Sequence, residues 1–258
     1  MIKVENIKKD FGSNQVLKGI SHTFHNGKTN LIIGRSGAGK TVFLKILVGL
    51  FQPTSGKIMY NDIDFLSLDK KALRELRMNV GMLFQGSALF DSMTTEENIR
   101  FPLDMFTNWT RKEKEMRVNY CLERVSLEGA NNKYPSEISG GMQKRVGIAR
   151  SIVLEPKYLF CDEPNSGLDP KTAIVIDELI QNITYENDIT TVINTHDMNS
   201  VMEIGDNIAL LHEGELAWSG SHNEVLDSDN QILQEFIFAS PFLKKLRDAA
   251  LKNSPGKI

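Results

Sequence analysis

Short apolar runs alternate with stretches of helical period along this chain. Ile2, Val4 and Ile7 recur among polar residues, which predicts short strands within residues 1–30, with Asn26-Gly27 as a hairpin turn. The run Leu31-Ile32-Ile33 reads as a buried strand, and the apolar stretch 42–47 as a helix. A turn at Pro53-Thr54-Ser55-Gly56 precedes a strand over 57–60. A short helix over 70–77 follows, then an apolar strand over 80–84. The rhythm then changes. Residues 86–138 read as a mostly helical insert, in which the capping box Thr110-Arg111-Lys112-Glu113 opens a helix with Met116, Tyr120, Cys121 and Val125 on one face. Ser139 caps the next helix, which runs through Val146, Ile148, Ala149, Ile152 and Val153. Apolar strands over 158–161 and 190–194 flank a helix that starts at Asp169-Pro170 and buries Ala173, Ile176, Leu179, Ile180 and Ile183. A strand pair over 207–218 turns at Glu213-Gly214, and a helix covers 231–239. Strands alternating with helices predict an α/β fold with a parallel core.

The strongest chemical signal lies between the strand at 31–33 and the helix after it. It reads Gly34-Arg35-Ser36-Gly37-Ala38-Gly39-Lys40-Thr41, with Val42 next. Glycines let consecutive backbone N–H groups converge on one anion, and the helix that follows points its positive end at it. Lys40 then reaches the outer phosphates of a nucleotide, and Thr41 holds Mg²⁺. Ser139 with Gly140 and Gly141 forms a second anion-binding helix mouth, since two glycines in a first turn cost helix stability. The strand 158–161 ends in Asp162-Glu163-Pro164. There the first carboxylate suits a metal and the second suits activation of water. Gln85 and His196 also stand at the ends of predicted core strands, where α/β ligands bind. Phe11 is placed in a loop, Asp10-Phe11-Gly12, as a half-buried aromatic or a stacking platform for a purine.

Composition narrows the classes. With 41% hydrophobic and 24% charged residues the chain is of ordinary globular type, and a net charge of −3 gives no support for a nucleic-acid partner. Cys121 and Cys161 lack metal spacing and read as buried, reduced thiols. The opening Met1-Ile2-Lys3-Val4-Glu5 turns polar at once, so no signal peptide is expected. No apolar run approaches the ~18 residues of a membrane span. An intracellular protein is expected, reaching any membrane through a partner. The segment 240–258 carries Lys244, Lys245, Arg247, Lys252 and Lys257, and reads as a solvated tail or a docking arm.

In order and spacing, these residues resemble the ATP-binding subunit of an ABC transporter over residues 2–224. The resemblance implies a P-loop NTPase of ABC type: a RecA-like parallel core, an N-terminal antiparallel β subdomain and a helical subdomain over about 86–155. All of it would lie in one domain over 1–239. It makes Phe11 the adenine-stacking aromatic, 34–41 the Walker A loop and Gln85 the Q-loop glutamine, a further metal ligand. Ser139, Gly140 and Gly141 become the signature motif. Asp162 becomes the Walker B metal ligand, Glu163 the catalytic base and His196 the switch histidine. Lys40 acts beside them on the phosphates. ATP and Mg²⁺ are the implied cofactors. The implied partners are a second copy of the chain in a head-to-tail dimer and the membrane permease that the dimer drives from the cytoplasmic face of the inner membrane. Two departures stand out: Met142 where glutamine is commoner, and Phe11 where tyrosine is commoner. Within the family, the wording Phe84-Gln85-Gly86-Ser87-Ala88-Leu89-Phe90-Asp91-Ser92, then 97–103, 139–150 with Met142, and 162–170 is most similar to ATPases of bacterial phospholipid transporters. Those are the maintenance-of-lipid-asymmetry type associated with mammalian-cell-entry domain proteins. A soluble ABC ATPase would be expected to show a second Walker A, a long coiled-coil insert or a basic surface, and none is seen. A transporter subunit for an amino acid or a metal stays open.

Overall fold

A computed structural model describes residues 1–225 and 227–238. The expected tail over 240–258, and residue 239 of the last expected helix, lie outside the described residues. The first strands are β1 (Ile2–Phe11) and β2 (Asn14–Phe24), then β3 (Lys28–Ile33). Helix α1 (Lys40–Leu47) follows, then β4 (Ser55–Tyr60) and β5 (Ile63–Asp64). Next come α2 (Lys70–Met78), β6 (Val80–Leu83) and three helices, α3 (Thr95–Phe106), α4 (Arg111–Arg124) and α5 (Gly140–Ile152). The chain continues through β7 (Tyr158–Asp162), α6 (Pro170–Glu186), β8 (Thr190–Asn194) and α7 (Met198–Ile204). It closes with β9 (Asn207–His212), β10 (Glu215–Gly220), α8 (His222–Val225) and α9 (Gln231–Ile237).

Two sheets form. The smaller is antiparallel, in the order β2-β1-β4-β5, and the larger runs β10-β9-β3-β8-β7-β6. In the larger sheet the pairs β9–β3, β3–β8, β8–β7 and β7–β6 are parallel, and β10 joins its edge antiparallel to β9. Its inner strands β3, β7, β8 and β9 are buried on both faces, as their continuous apolar runs require, whereas the edge strand β10 is not. Leu31, Ile33, Leu159, Cys161 and Ile193 pack toward the helices α3 to α7. The alternate residues Ile32, Phe160 and Val192 pack toward α1 and the antiparallel sheet. The architecture is that of three layers, with the parallel sheet in the middle.

Four expectations change. Asn26-Gly27 is a turn but not a hairpin: it passes the chain from β2 in one sheet to β3 in the other, and the Thr190 hydroxyl donates to Asn26 Oδ1 at 2.7 Å. Phe11 ends β1, paired with Asn14, so the turn is Gly12-Ser13 alone. In α4 the buried face is Val118, Cys121 and Leu122, continued by Val125, while Met116 and Tyr120 are exposed. The core meets α4 along the stripe of Val118, Cys121 and Leu122, which leaves the Met116 side facing solvent. In α6, Leu179 is only half-buried, and the polar Asp177 and Thr184 are buried instead.

The insert is stapled locally. Capping boxes at Thr94 with Glu97 and at Thr110 with Glu113 start α3 and α4. The fully buried Asn98 amide takes the Phe90 N–H at 2.8 Å and donates to the carbonyls of Phe90, Met93 and Thr94. These bonds tie the loop before α3 to the first turns of the helix. Among the described residues, no helix is long and apolar enough to cross a membrane.

Candidate nucleotide-binding site

The parallel sheet decides where the site lies. β3, β6, β7 and β8 all run the same way, so the loops after their C-terminal ends meet at one edge. These loops carry 34–41, Gln85, Asp162 with Glu163, and His196. A cavity of about 790 Å³ opens there. It is lined by Gly34, Arg35, Ser36, Gly37, Gly39, Lys40, Thr41, Val42, Gln85, Glu163 and His196, together with Val16 and Phe236.

The loop after β3 needs its glycines for different reasons. Gly34, at φ +146°, has no room for a Cβ, which would lie 2.3 Å from the Leu211 carbonyl oxygen. Gly37, at φ +82°, would meet nothing within 4 Å, so its freedom serves the turn and leaves the floor of the cavity open. Gly39 sits at the cap of α1 with φ 98° and no side chain to bond the helix's first N–H groups. Those donors remain for an anion. Ala38 differs from its neighbours: it is buried in the core, and its N–H goes to the Arg35 carbonyl at 3.2 Å. The Lys40 ammonium, 7% exposed, arches back to the Gly34 carbonyl at 2.8 Å and the Arg35 carbonyl at 3.4 Å. Burial lowers its pKa, and the nearby carboxylates of Glu163 and Asp162 oppose that shift.

Asp162 ends β7 beside the loop. Its Oδ1 accepts from the Thr41 hydroxyl at 3.4 Å and from the Asn194 amide at 2.5 Å, and Asn194 also donates to Thr41 at 3.2 Å. Thr41 and Asp162 thus present two hard oxygens side by side. No group of three His, Cys, Asp or Glu side chains that could hold a metal occurs among the described residues. A partial oxygen set is what Mg²⁺ uses when phosphate and water complete its octahedron, so these residues fit it. Asn194 was not anticipated; it stands next to Asp162 only through the β7–β8 register, in which the two residues are partners.

Glu163 follows in the left-handed region, at φ 50°, an unusual place for a side chain of its size. The turn swings its carboxylate into the cavity, where Oε2 lies 2.7 Å from Nδ1 of the exposed His196. Its backbone is held from both sides: its N–H goes to the Asn194 carbonyl at 2.9 Å, and its carbonyl accepts from the Ser166 N–H at 3.2 Å. Gln85 donates to the Ser166 hydroxyl at 3.3 Å. The cavity brings together eleven of the anticipated residues but not Phe11, Ala38, Asp162, Ser139, Gly140 or Gly141. Phe11 is exposed, with the Lys9 ammonium 4.8 Å from its ring centroid and the Phe51 ring edge-on at 5.7 Å. Phe236, unforeseen, reaches the cavity from α9.

The second helix mouth is built as expected, but elsewhere. The Ser139 hydroxyl accepts from the Met142 N–H at 3.3 Å and caps α5. Ser139 and Gly140 are exposed, and a Cβ on Gly140 would meet nothing within 4 Å. Gly141 does have an internal reason, since its Cβ would lie 2.8 Å from Thr172 Cγ2.

Comparison with known proteins identifies the family and the fold. A family model described as ABC transporter matches residues 17–166. The chain is 40% identical over 238 residues to the probable ribonucleotide transport ATP-binding protein mkl of Mycobacterium tuberculosis, covering 92% of this chain and 66% of the relative's length. It is 39% identical over 259 residues to the methionine import ATP-binding protein MetN of Campylobacter jejuni, covering 94% of this chain and 77% of the relative. Among solved structures, the ATP-binding cassette MJ0796, in a dimeric post-hydrolysis state with ADP and Pi, superposes with a TM-score of 0.78 at 31% identity. That match covers 86% of this chain and 99% of the other. The cbiO1 protein of Clostridium perfringens, part of the transporter complex cbiONQ, gives a TM-score of 0.82 at 28% identity over 97% of this chain and 98% of the other.

Proposed function

The chain belongs to the ABC transporter family of ATPases, and on that footing we propose that it is the subunit that hydrolyses ATP to drive a membrane permease. It would work as a head-to-tail dimer with two ATP molecules at the interface. The observation that carries this reading is the division of the anion-binding groups. One chain has a phosphate loop and a carboxylate base lining a single cavity, with Asp162 just behind it at hydrogen-bond distance from Thr41. Its second anion-binding helix mouth lies outside that cavity and faces solvent. Two such mouths on one chain sandwich a polyphosphate only when another copy supplies one of them.

In this reading the backbone of 34–41 cradles the phosphates, Lys40 neutralises charge as the bond to the last phosphate breaks, and Phe11 stacks on the base. Glu163 takes a proton from the attacking water, and His196, already bonded to Glu163, orients that carboxylate and contacts the terminal phosphate. Thr41, Asp162 and Gln85 would hold Mg²⁺, which supplies charge neutralisation on the phosphates when bound. Ser139, Gly140 and Gly141 of the second copy complete the cradle. ATP binds the closed dimer more tightly than the open one, so its hydrolysis releases closure as motion.

The permease would dock near Gln85 and α3, where Phe84, Phe90, Met105, Phe106 and Trp109 are all exposed. On this reading the chain would sit at the cytoplasmic face of the inner membrane. The proposed cargo is phospholipid, with a mammalian-cell-entry domain protein as an accessory partner; the wording around Gln85 and Met142 supports it. The competing reading is a small polar cargo, because the similar proteins are named for ribonucleotide transport and methionine import. Reading the adjacent genes separates the two: a mammalian-cell-entry domain protein beside a permease supports lipid, and a periplasmic amino-acid-binding protein sinks it. The dimer itself is tested by light scattering of Glu163→Gln with ATP. A monomer at every ATP concentration would remove the composite site.

A further inference from the structure

Helix α5 does more than present its mouth to a partner. Its residues Lys144, Gly147 and Arg150, three apart, share one face and lie against the loop that carries Gln85. The Lys144 ammonium donates to the Gln85 carbonyl. The Arg150 guanidinium donates to the carbonyls of Ser87 at 2.5 Å and Ala88 at 2.7 Å. Between them, a Cβ on Gly147 would lie 2.7 Å from Leu83 Cδ1 and 3.3 Å from Ser87 Cβ, so the helix sits tight on the loop. Ser87 and Ala88 both have positive φ, at 60° and 48°, which two cationic donors on their carbonyls help to hold.

Lys144 has a second acceptor. Its Nζ lies 3.5 Å from the Glu163 carbonyl oxygen. It is 5% exposed, and no ion pair among the described residues includes it. Burial lowers its pKa, opposed by Cys161, Glu163 and Asp162. A buried ammonium is costly unless its donors are used, and here they are spent on two main-chain oxygens at the nucleotide cavity. Four residues earlier, about 6 Å along the helix, the same element opens its mouth to the other copy.

We infer that Lys144 is a positioning residue for hydrolysis: it pins the backbone of Glu163 and of Gln85 to the helix whose mouth serves the opposite nucleotide. The inference rests on the composite-site reading. It adds a route by which the seating of α5 on the partner's ATP sets the placement of the base in its own cavity. Arg150 holds only the Gln85 loop, so the connection to Glu163 runs through Lys144 alone of the two cations.

The test uses the full chain with Lys144→Met, which keeps length and removes charge, and Lys144→Arg, which keeps charge. ATPase kinetics give kcat and KM, and equilibrium ATP binding is measured in the Glu163→Gln background. Lys144→Met is expected to lower kcat roughly tenfold to a hundredfold, the scale of a misplaced catalytic group, with KM and ATP affinity unchanged. Lys144→Arg is expected to recover most of kcat. Wild-type kcat in Lys144→Met overturns the inference. So does a joint loss of kcat and ATP affinity that Lys144→Arg fails to restore, since that marks a fold defect. Should Lys144→Met be insoluble, Lys144→Gln is read by the same criteria. If Glu163→Gln binds no ATP and forms no dimer, the composite-site reading fails and takes this inference with it. If it dimerises while Lys144→Met keeps its kcat, only this inference falls.

Discussion

The two regions proposed to bind phosphate differ in how their backbones are explained. Around the cavity nearly every special residue has an internal reason. Gly34 and Gly39 make room for neighbours, Lys40 is bonded to its own loop, and Asp162, Thr41 and Asn194 form one hydrogen-bonded cluster. At the mouth of α5, Gly140 has none: it is exposed, it sits where a larger residue would fit, and it weakens the helix it starts. A costly residue that nothing in its own chain requires points to something outside the chain. The contrast sets a cavity that the chain's own packing explains against a helix mouth at which Gly140, unlike Gly141, is explained only by the proposed assembly.

Substitutions can break this contrast. The largest effect is expected in the self-made half. Glu163→Gln should lower kcat about a thousandfold, within the range for losing a general base, while ATP binding and ATP-induced dimerisation persist. Single-turnover hydrolysis and light scattering read the two separately. Next is Gly140→Asp. A carboxylate in the first turn should leave thermal stability unchanged or raise it by ~0.5 kcal/mol, yet meet the partner's phosphates as a like charge. A fall in kcat of roughly a hundredfold is expected, matching loss of one preorganised anion contact. Unchanged turnover in that variant would mean that Gly140 faces no phosphate.

A third variant sharpens the statement that the cavity half is internally explained. Asp177 is buried and accepts from Ser200 at 2.7 Å, and Ser200 accepts from Asn165 at 3.1 Å, yet Asp177 Oδ1 and Asn165 Oδ1 find no partner among the described residues. Burial, opposed by those bonds, pushes the Asp177 carboxyl up to about 6. The folded chain therefore holds this proton more tightly than the unfolded one. The stability it contributes is full below the ordinary carboxylate pKa and is lost as pH rises through about 6. Asp177→Asn cannot ionise and should remove about 1–2 kcal/mol of that loss between pH 4 and 6, read by denaturant unfolding. The smallest effect is expected for Phe11→Ala: a KM for ATP raised roughly threefold to tenfold by loss of one aromatic stack, with kcat kept. The same change at Phe236, which lines the cavity from the other side, decides which ring meets the base.

The parts of this site legible in the sequence are those set by local chemistry. The loop 34–41, the caps at Ser139 and Asp169, and the carboxylates after β7 each need only near neighbours to be recognised. The misses depend on distance along the chain. Asn194 meets Asp162 only through a register between β7 and β8. Asp177 and Thr184 are buried only because Ser200 of α7 and Thr191 of β8 come to meet them, contacts that the sequence of α6 alone does not show. Lys144 and Arg150 find their acceptors on the distant Gln85 loop, which the sequence of α5 alone does not place beneath them. The α4 face failed for a simpler reason: Met116 and Tyr120 are apolar enough to suggest burial, but the neighbouring helices pack on the stripe through Val118 and Leu122.

The left-handed backbone of Glu163 sets fitness against durability at one codon. A side chain there carries a conformational cost of about 1–2 kcal/mol that glycine avoids, so Glu163→Gly should melt higher while hydrolysing nothing. A population selected only for heat resistance would drift toward the inactive residue. Retention of glutamate at this position under such selection would be a direct sign that the organism needs the turnover.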